Sequence, residues 1–292
     1  MTRYPWIALC CAFAAAVVSP GAAAAQPISA GARYVALGSS YASGPGLPDQ
    51  IDGACQRSAQ NYPHQVARAL DLDLVDVSCG GATTADILER AQRTAIGTVG
   101  APQIEAVSAD TRLVTVSIGG NDLNLVGSMV AASGCAALVG AVPGVCENLT
   151  GAKTPTRDDF DAVERAIGAV VDAVHTRAPE ARVLLIDYLP ALDRTGDTCA
   201  TAPMRPDQAA TARHTYDGLL DATQRAGKRT DAVVITIPDA EAHTACSPEP
   251  WVSGLVDPLT TAGGLGAAAG SYHPNLEGTT RIARQILDRL DR

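Results

Sequence analysis

Lysine is scarce: Lys153 and Lys228 stand against 20 arginines. The imbalance reads as a genomic composition bias and carries no chemistry by itself. Neither lysine follows a serine by three residues, so S-x-x-K nucleophile chemistry is excluded. Aromatic residues make up 4% of the chain, with Phe13 and Phe160 the only phenylalanines, so no platform for stacking sugars is evident. No serine has glycine at both −2 and +2, which excludes the G-x-S-x-G nucleophile elbow. There is no phosphate-binding loop and no dinucleotide glycine fingerprint. No cysteines show C-x-x-C spacing and no histidines show H-E-x-x-H, so neither a metal nor a cofactor is expected. Positive charge is also short. The net charge of −9 argues against nucleic acid and against strong binding to anionic membranes.

The first 25 residues read as a secretory signal. Arg3 supplies the positive start, Trp6–Val18 a short apolar core, and Ala23-Ala24-Ala25 the small residues of a cleavage site. The apolar run is too short for a confident membrane span. The mature chain is expected to begin near Gln26 and to form one domain over 26–292, long enough for one large core. Cys10 and Cys11 leave with the signal. Cys55, Cys79, Cys135, Cys146, Cys199 and Cys246 remain. An even count in an exported chain implies three disulfides, with about 15 possible connectivities. Sequential pairing is the simplest: Cys55–Cys79, Cys135–Cys146 and Cys199–Cys246.

Five apolar runs suit buried strands: Tyr34–Leu37, Leu72–Val77, Leu113–Ile118, Val183–Ile186 and Val233–Ile237. They lack strict alternation, as strands covered on both faces do. Helical patterns alternate with them. Thr156 can cap a helix with Asp159 three residues on, and Asn275 can cap the last helix. Met129–Pro155 and Cys246–Ser271 read as long loops, rich in small residues. Strand–helix alternation implies a parallel α/β sandwich, with ligands beyond the carboxyl ends of its strands.

Ser40 and Asn121 follow the first and third strands directly, and both should reach that edge. Ser40 sits in Leu37-Gly38-Ser39-Ser40 and Asn121 in Gly119-Gly120-Asn121-Asp122. Each run is also ordinary turn chemistry. Gly80-Gly81, after the second strand, lets a backbone N–H approach a bound oxygen closely. Four of the five histidines have plain structural explanations. His273 differs, because Pro274 forces it toward an extended conformation and Asn275 starts the next helix. Serine, asparagine and histidine at strand ends suit acyl transfer. The serine needs a base, and the oxyanion needs donors.

Together these segments resemble the SGNH (GDSL-type) hydrolase family, in its secreted, disulfide-containing bacterial branch, from Tyr34 to the last helix. The resemblance implies a flavodoxin-like three-layer α/β/α sandwich with a five-stranded parallel sheet. It implies Ser40 as nucleophile and His273 as base. The Ser40 and Gly81 N–H groups and the Asn121 amide would hold the oxyanion. It implies a secreted esterase or lipase acting on a small-molecule or lipid ester, expected to be a monomer without stable membrane insertion. Two positions depart from the pattern. Ser39 replaces the aspartate before the nucleophile, with a modest effect expected. Gly270 replaces the aspartate three residues before the histidine, so the Gly270 carbonyl is expected to accept from His273 Nδ1–H, giving a Ser–His dyad. Two rival readings are a carbohydrate O-deacetylase and a carbohydrate- or lipid-binding protein without turnover.

Overall fold

The structure is a computed structural model that describes residues 28–94, 97–139, 153–257, 259, 261–262 and 264–291. The expected signal segment and Cys146 lie outside the described residues. Five strands form one parallel sheet: β1 (Arg33–Gly38), β2 (Asp73–Asp76), β3 (Thr111–Ser117), β4 (Arg182–Ile186) and β5 (Val233–Ile235). Their order is β2-β1-β3-β4-β5. The five apolar runs of the sequence are these strands. Tyr34, Val35, Ala36, Leu37, Leu113, Val114 and Leu184 are fully buried, because helices cover both faces.

The main helices are α1 (Ser40–Ser43), α2 (Tyr62–Leu70), α3 (Thr84–Leu88), α4 (Leu125–Val139), α5 (Arg157–Arg177), α6 (Pro206–Thr230) and α7 (Leu276–Leu290), and a short helix, Gly264–Ala268, lies in the segment expected as the Cys246–Ser271 loop. Helix α2 packs on α7, while α5 packs on α6 and α3, giving the outer layers of an α/β/α sandwich. The caps read from the sequence are present. Thr156 and Asp159 form a reciprocal capping box, and Asn275 Oδ1 accepts from the Gly278 N–H at 2.9 Å.

The expected loop over Met129–Pro155 is instead helical from Leu125 to Val139. This segment (LVGSMVAASGCAALV) carries small apolar residues all round, so it shows no stripe of the kind that marks a surface helix. Leu125, Met129 and Ala132 join the core.

Cys55–Cys79 and Cys199–Cys246 are bonded, as sequential pairing requires. Cys135 is also in a disulfide. The first bridge fastens the segment after β2, where the Gly80 N–H also donates to the Cys55 carbonyl at 2.8 Å.

The chain leaves β1 outward to β2 and returns to place β3 on the other side of β1. That reversal opens a crevice at the carboxyl ends of β1 and β3, where ligands of such sheets bind. The pairing continues past the strands. Cys79 N donates to Gly38 O at 3.0 Å and Ser39 N to Ser117 O at 2.9 Å, so the three segments after β2, β1 and β3 leave side by side.

Candidate active site

Ser40 opens the single-turn helix α1, which Gly44 closes at φ +82° by donating to the Ser40 carbonyl. Gly38 stands two residues before it. A Cβ on Gly38 would lie 2.5 Å from the Ser117 carbonyl oxygen, so only glycine lets β1 stay paired there. Gln103 brackets the same residue. Its side chain accepts from Gly38 N at 2.8 Å and donates to Gly38 O at 3.0 Å. Ser40 is 8% exposed.

Ser39 is fully buried. Its hydroxyl lies 2.8 Å from the Tyr188 hydroxyl and 3.4 Å from the Ser117 carbonyl. Burial pushes the Tyr188 phenol up to about 12, so the partner of Ser39 is a neutral hydroxyl. Gly120 makes room for that ring, since a Cβ there would meet Tyr188 Oη at 2.8 Å.

The segment after β2 turns at Gly81, with φ +81°. The N–H groups on either side are used: Gly80 N on Cys55 O and Ala82 N on Cys79 O. Gly80 O accepts from the Gln92 amide at 2.7 Å. The Gly81 N–H donates to no group among the described residues. After β3, Asn121 Nδ2 donates one proton to the Ala82 carbonyl at 2.8 Å, which leaves its second N–H for another acceptor.

His273 is 7% exposed. Its Nδ1 lies 2.8 Å from the Ser271 carbonyl oxygen. A carbonyl only accepts, so Nδ1 carries the proton and Nε2 the lone pair. Nε2 is buried and without a partner among the described residues. Burial pulls the ring pKa down to about 4, the Ser271 carbonyl opposing it weakly, so the ring is neutral at pH 7.

The Ser271 contact corrects the expectation placed on Gly270. The Gly270 carbonyl accepts from the His273 backbone N–H at 3.1 Å, closing a four-residue turn. Tyr272 occupies the third position of that turn at φ +58°, and the imidazole therefore swings back two residues instead of three. The structure also explains why no aspartate stands at 270. A Cβ there would meet Gly46 Cα at 3.1 Å and Pro45 O at 3.2 Å, in the turn that leads away from α1.

Tyr41 ties the histidine to the serine. Its hydroxyl lies 3.0 Å from the Tyr272 carbonyl and 3.2 Å from the Leu189 carbonyl. Its ring stacks on Tyr188 at 4.0 Å and sits 5.5 Å from the His273 ring. The Tyr272 hydroxyl in turn pairs with Ser133 of α4 at 2.5 Å. Ser40, Gly81, Asn121 and His273 thus converge at one edge of the sheet. Tyr41, Gln103 and Tyr188 were not read from the sequence. Tyr41 and Tyr188 had one available signal, since Tyr41 follows Ser40 and Tyr188 follows β4 at the same edge.

Known proteins resemble this chain in sequence and fold. The model of the GDSL-like lipase/acylhydrolase family matches residues 36–281. The chain is 34% identical over 262 residues to Lipase 2 of Streptomyces coelicolor, covering 87% of this chain and 84% of that protein. It is 27% identical over 283 residues to a lipase of Streptomyces rimosus, covering 94% and 92%. The crystal structure of the extracellular lipase from Streptomyces rimosus aligns with a TM-score of 0.66 at 25% identity, over 88% of this chain and 99% of that one. The chain belongs to the GDSL-like lipase/acylhydrolase family.

Proposed function

We propose that the carboxylic-ester hydrolysis of this family runs here through a Ser40–His273 dyad. Ser40 Oγ attacks the ester carbonyl while His273 Nε2 takes its proton. The Ser40 and Gly81 N–H groups and the second N–H of Asn121 receive the oxyanion. His273 then gives the proton to the leaving alcohol, and water releases the acid by the same steps in reverse. The Ser271 carbonyl orients the ring as an aspartate would, fixing the tautomer that leaves Nε2 basic. The observation that carries this reading is the pair of uncommitted groups facing one edge, a basic Nε2 and an Asn121 amide with one N–H spent.

The disulfides suit an oxidising compartment, and with the signal-like start we place the enzyme outside the cytoplasm. No helix among the described residues is long and apolar enough to cross a membrane.

Hydrolysis of p-nitrophenyl acetate, butyrate and palmitate by the purified chain tests the reading. Turnover is expected and, on the esterase or lipase reading, extends beyond acetate. Turnover confined to acetate would move the assignment to a deacetylase, and binding without turnover on all three would sink it.

The pH profile follows from the state of His273. The neutral ring is the base, and its pKa lies below the ordinary histidine value of 6.5, at about 4. The kcat/KM of the free enzyme should therefore stay level as pH falls through 6.5 and drop only on approaching about 4. An acid limb centred near 6.5 would contradict the buried, carbonyl-bound ring.

A further inference from the structure

We propose that Asp122 is a positioning residue for the oxyanion donors, clamping the Asn121 segment to the Gly81 segment through Thr84. The inference rests on the reading of Gly81 and Asn121 as those donors. Asn121 and Asp122 are adjacent, and each reaches across to the chain after β2. Asn121 Nδ2 donates to Ala82 O at 2.8 Å. Asp122 accepts from Thr84 Oγ1 at 2.5 Å, and the Thr84 backbone N–H lies 3.2 Å from each of its carboxylate oxygens.

One hydrogen bond between two loops leaves a hinge, whereas two at neighbouring residues fix their relative orientation. The Asn121 bond alone cannot hold its own amide, because that amide must also answer to the substrate. Asp122 needs no part of itself for the substrate and can hold the frame. The segment it grips is itself rigid. Thr83 N and Oγ1 donate to Asp86, at 2.8 and 2.7 Å, and Ala82 N donates to Cys79 O. On its own side, Leu125 N donates to Gly120 O at 2.8 Å and Asn124 N to Asn121 O at 3.2 Å, so the clamp joins two preformed turns. A displacement of about 1 Å at a reacting centre can cost about 10²-fold in rate. The clamp acts on placement, so it should show in kcat and not in KM.

The competing account makes Asp122 only a fastener of helix α3, which would lower the melting temperature and leave turnover per folded molecule unchanged. Asp122→Ala and Thr84→Val break the same contact from its two sides, and Thr84→Ser keeps the hydroxyl. Each of the first two is expected to lower kcat by about 10–10²-fold with KM within about 2-fold, and Thr84→Ser to restore most of it. Adding Asp122→Ala to Asn121→Ala should cost less than about 3-fold more, because the donor being positioned is already gone. If Asp122→Ala fails to fold, the threonine pair carries the same test. Full kcat in Thr84→Val, or a double variant whose losses multiply, would overturn the clamp while leaving the oxyanion reading intact. Full kcat in Asn121→Ala would overturn the oxyanion reading and the clamp with it.

Discussion

Ser40→Ala is expected to lower kcat by about 10⁴–10⁶-fold on any ester the enzyme turns over, with KM little changed. The side chain is small, and its hydroxyl takes no part in the hydrogen bonds that hold the turn. Those use backbone groups of the turn: Ser39 N to Ser117 O, Gly44 N to Ser40 O, Gly38 N to Gln103 Oε1 and Gln103 Nε2 to Gly38 O. Removing the hydroxyl should therefore leave the fold and the melting temperature unchanged and delete only the nucleophile. Residual rate above the uncatalysed reaction would come from the oxyanion donors, which the substitution spares. Steady-state kinetics beside a melting curve checks both halves. A loss of less than about 10²-fold would mean that Ser40 is not the attacking group.

Asn121→Ala is the second large effect, a loss of about 10²–10³-fold in kcat, or about 2.7–4 kcal/mol of barrier. The value belongs to a donor fixed before the reaction begins. Asn121 meets that condition when its bond to Ala82 is backed by the proposed Asp122–Thr84 clamp on the same segment. The loss should fall on kcat and kcat/KM alike, because the interaction strengthens as the carbonyl becomes an oxyanion. Asn121→Asp provides the sharper contrast: an acceptor replaces the donor, beside the developing negative charge, and should do worse than alanine. A rise in KM with kcat intact would place Asn121 in ground-state binding instead.

The sheet was legible in the sequence for a simple reason. Its strands are buried on both faces, so Tyr34–Leu37 is an unbroken apolar run and Leu113–Ile118 a mainly apolar one, interrupted only by the small polar Thr115 and Ser117. The catalytic candidates were legible because Ser40 and Asn121 come directly after two of those runs, and because Pro274 singles out His273 among five histidines. Helix α4 was not legible, because its residues are apolar or small on every side and no stripe marks it. The acceptor for His273 was missed by one residue. Choosing Ser271 over Gly270 depends on Tyr272 adopting φ +58°, which a tyrosine seldom does and which its surroundings enforce: its hydroxyl is held by Ser133, its N–H by Ser253 O and its carbonyl by Tyr41. Gln103 and Tyr188 lie 65 and 149 residues from the positions they brace, and no local pattern announces a contact at that range.

Ser39 shows how the chain handles its departure from the family pattern. Where the family has aspartate, a neutral hydroxyl pair with Tyr188 holds the turn. Tyr188 also stacks on Tyr41, so the same ring steadies the residues on either side of Ser40.

The most direct test of the Ser40–His273 dyad is covalent capture. The enzyme would be treated with diethyl p-nitrophenyl phosphate, which leaves a stable phosphoryl adduct on an activated serine, and the modified peptide identified by mass spectrometry. A single adduct on Ser40, formed rapidly by the unmodified enzyme and more than about 10²-fold more slowly by His273→Ala, is the result expected when the histidine activates the hydroxyl. An adduct on another residue, or one on Ser40 that forms equally fast without the imidazole, would contradict the dyad.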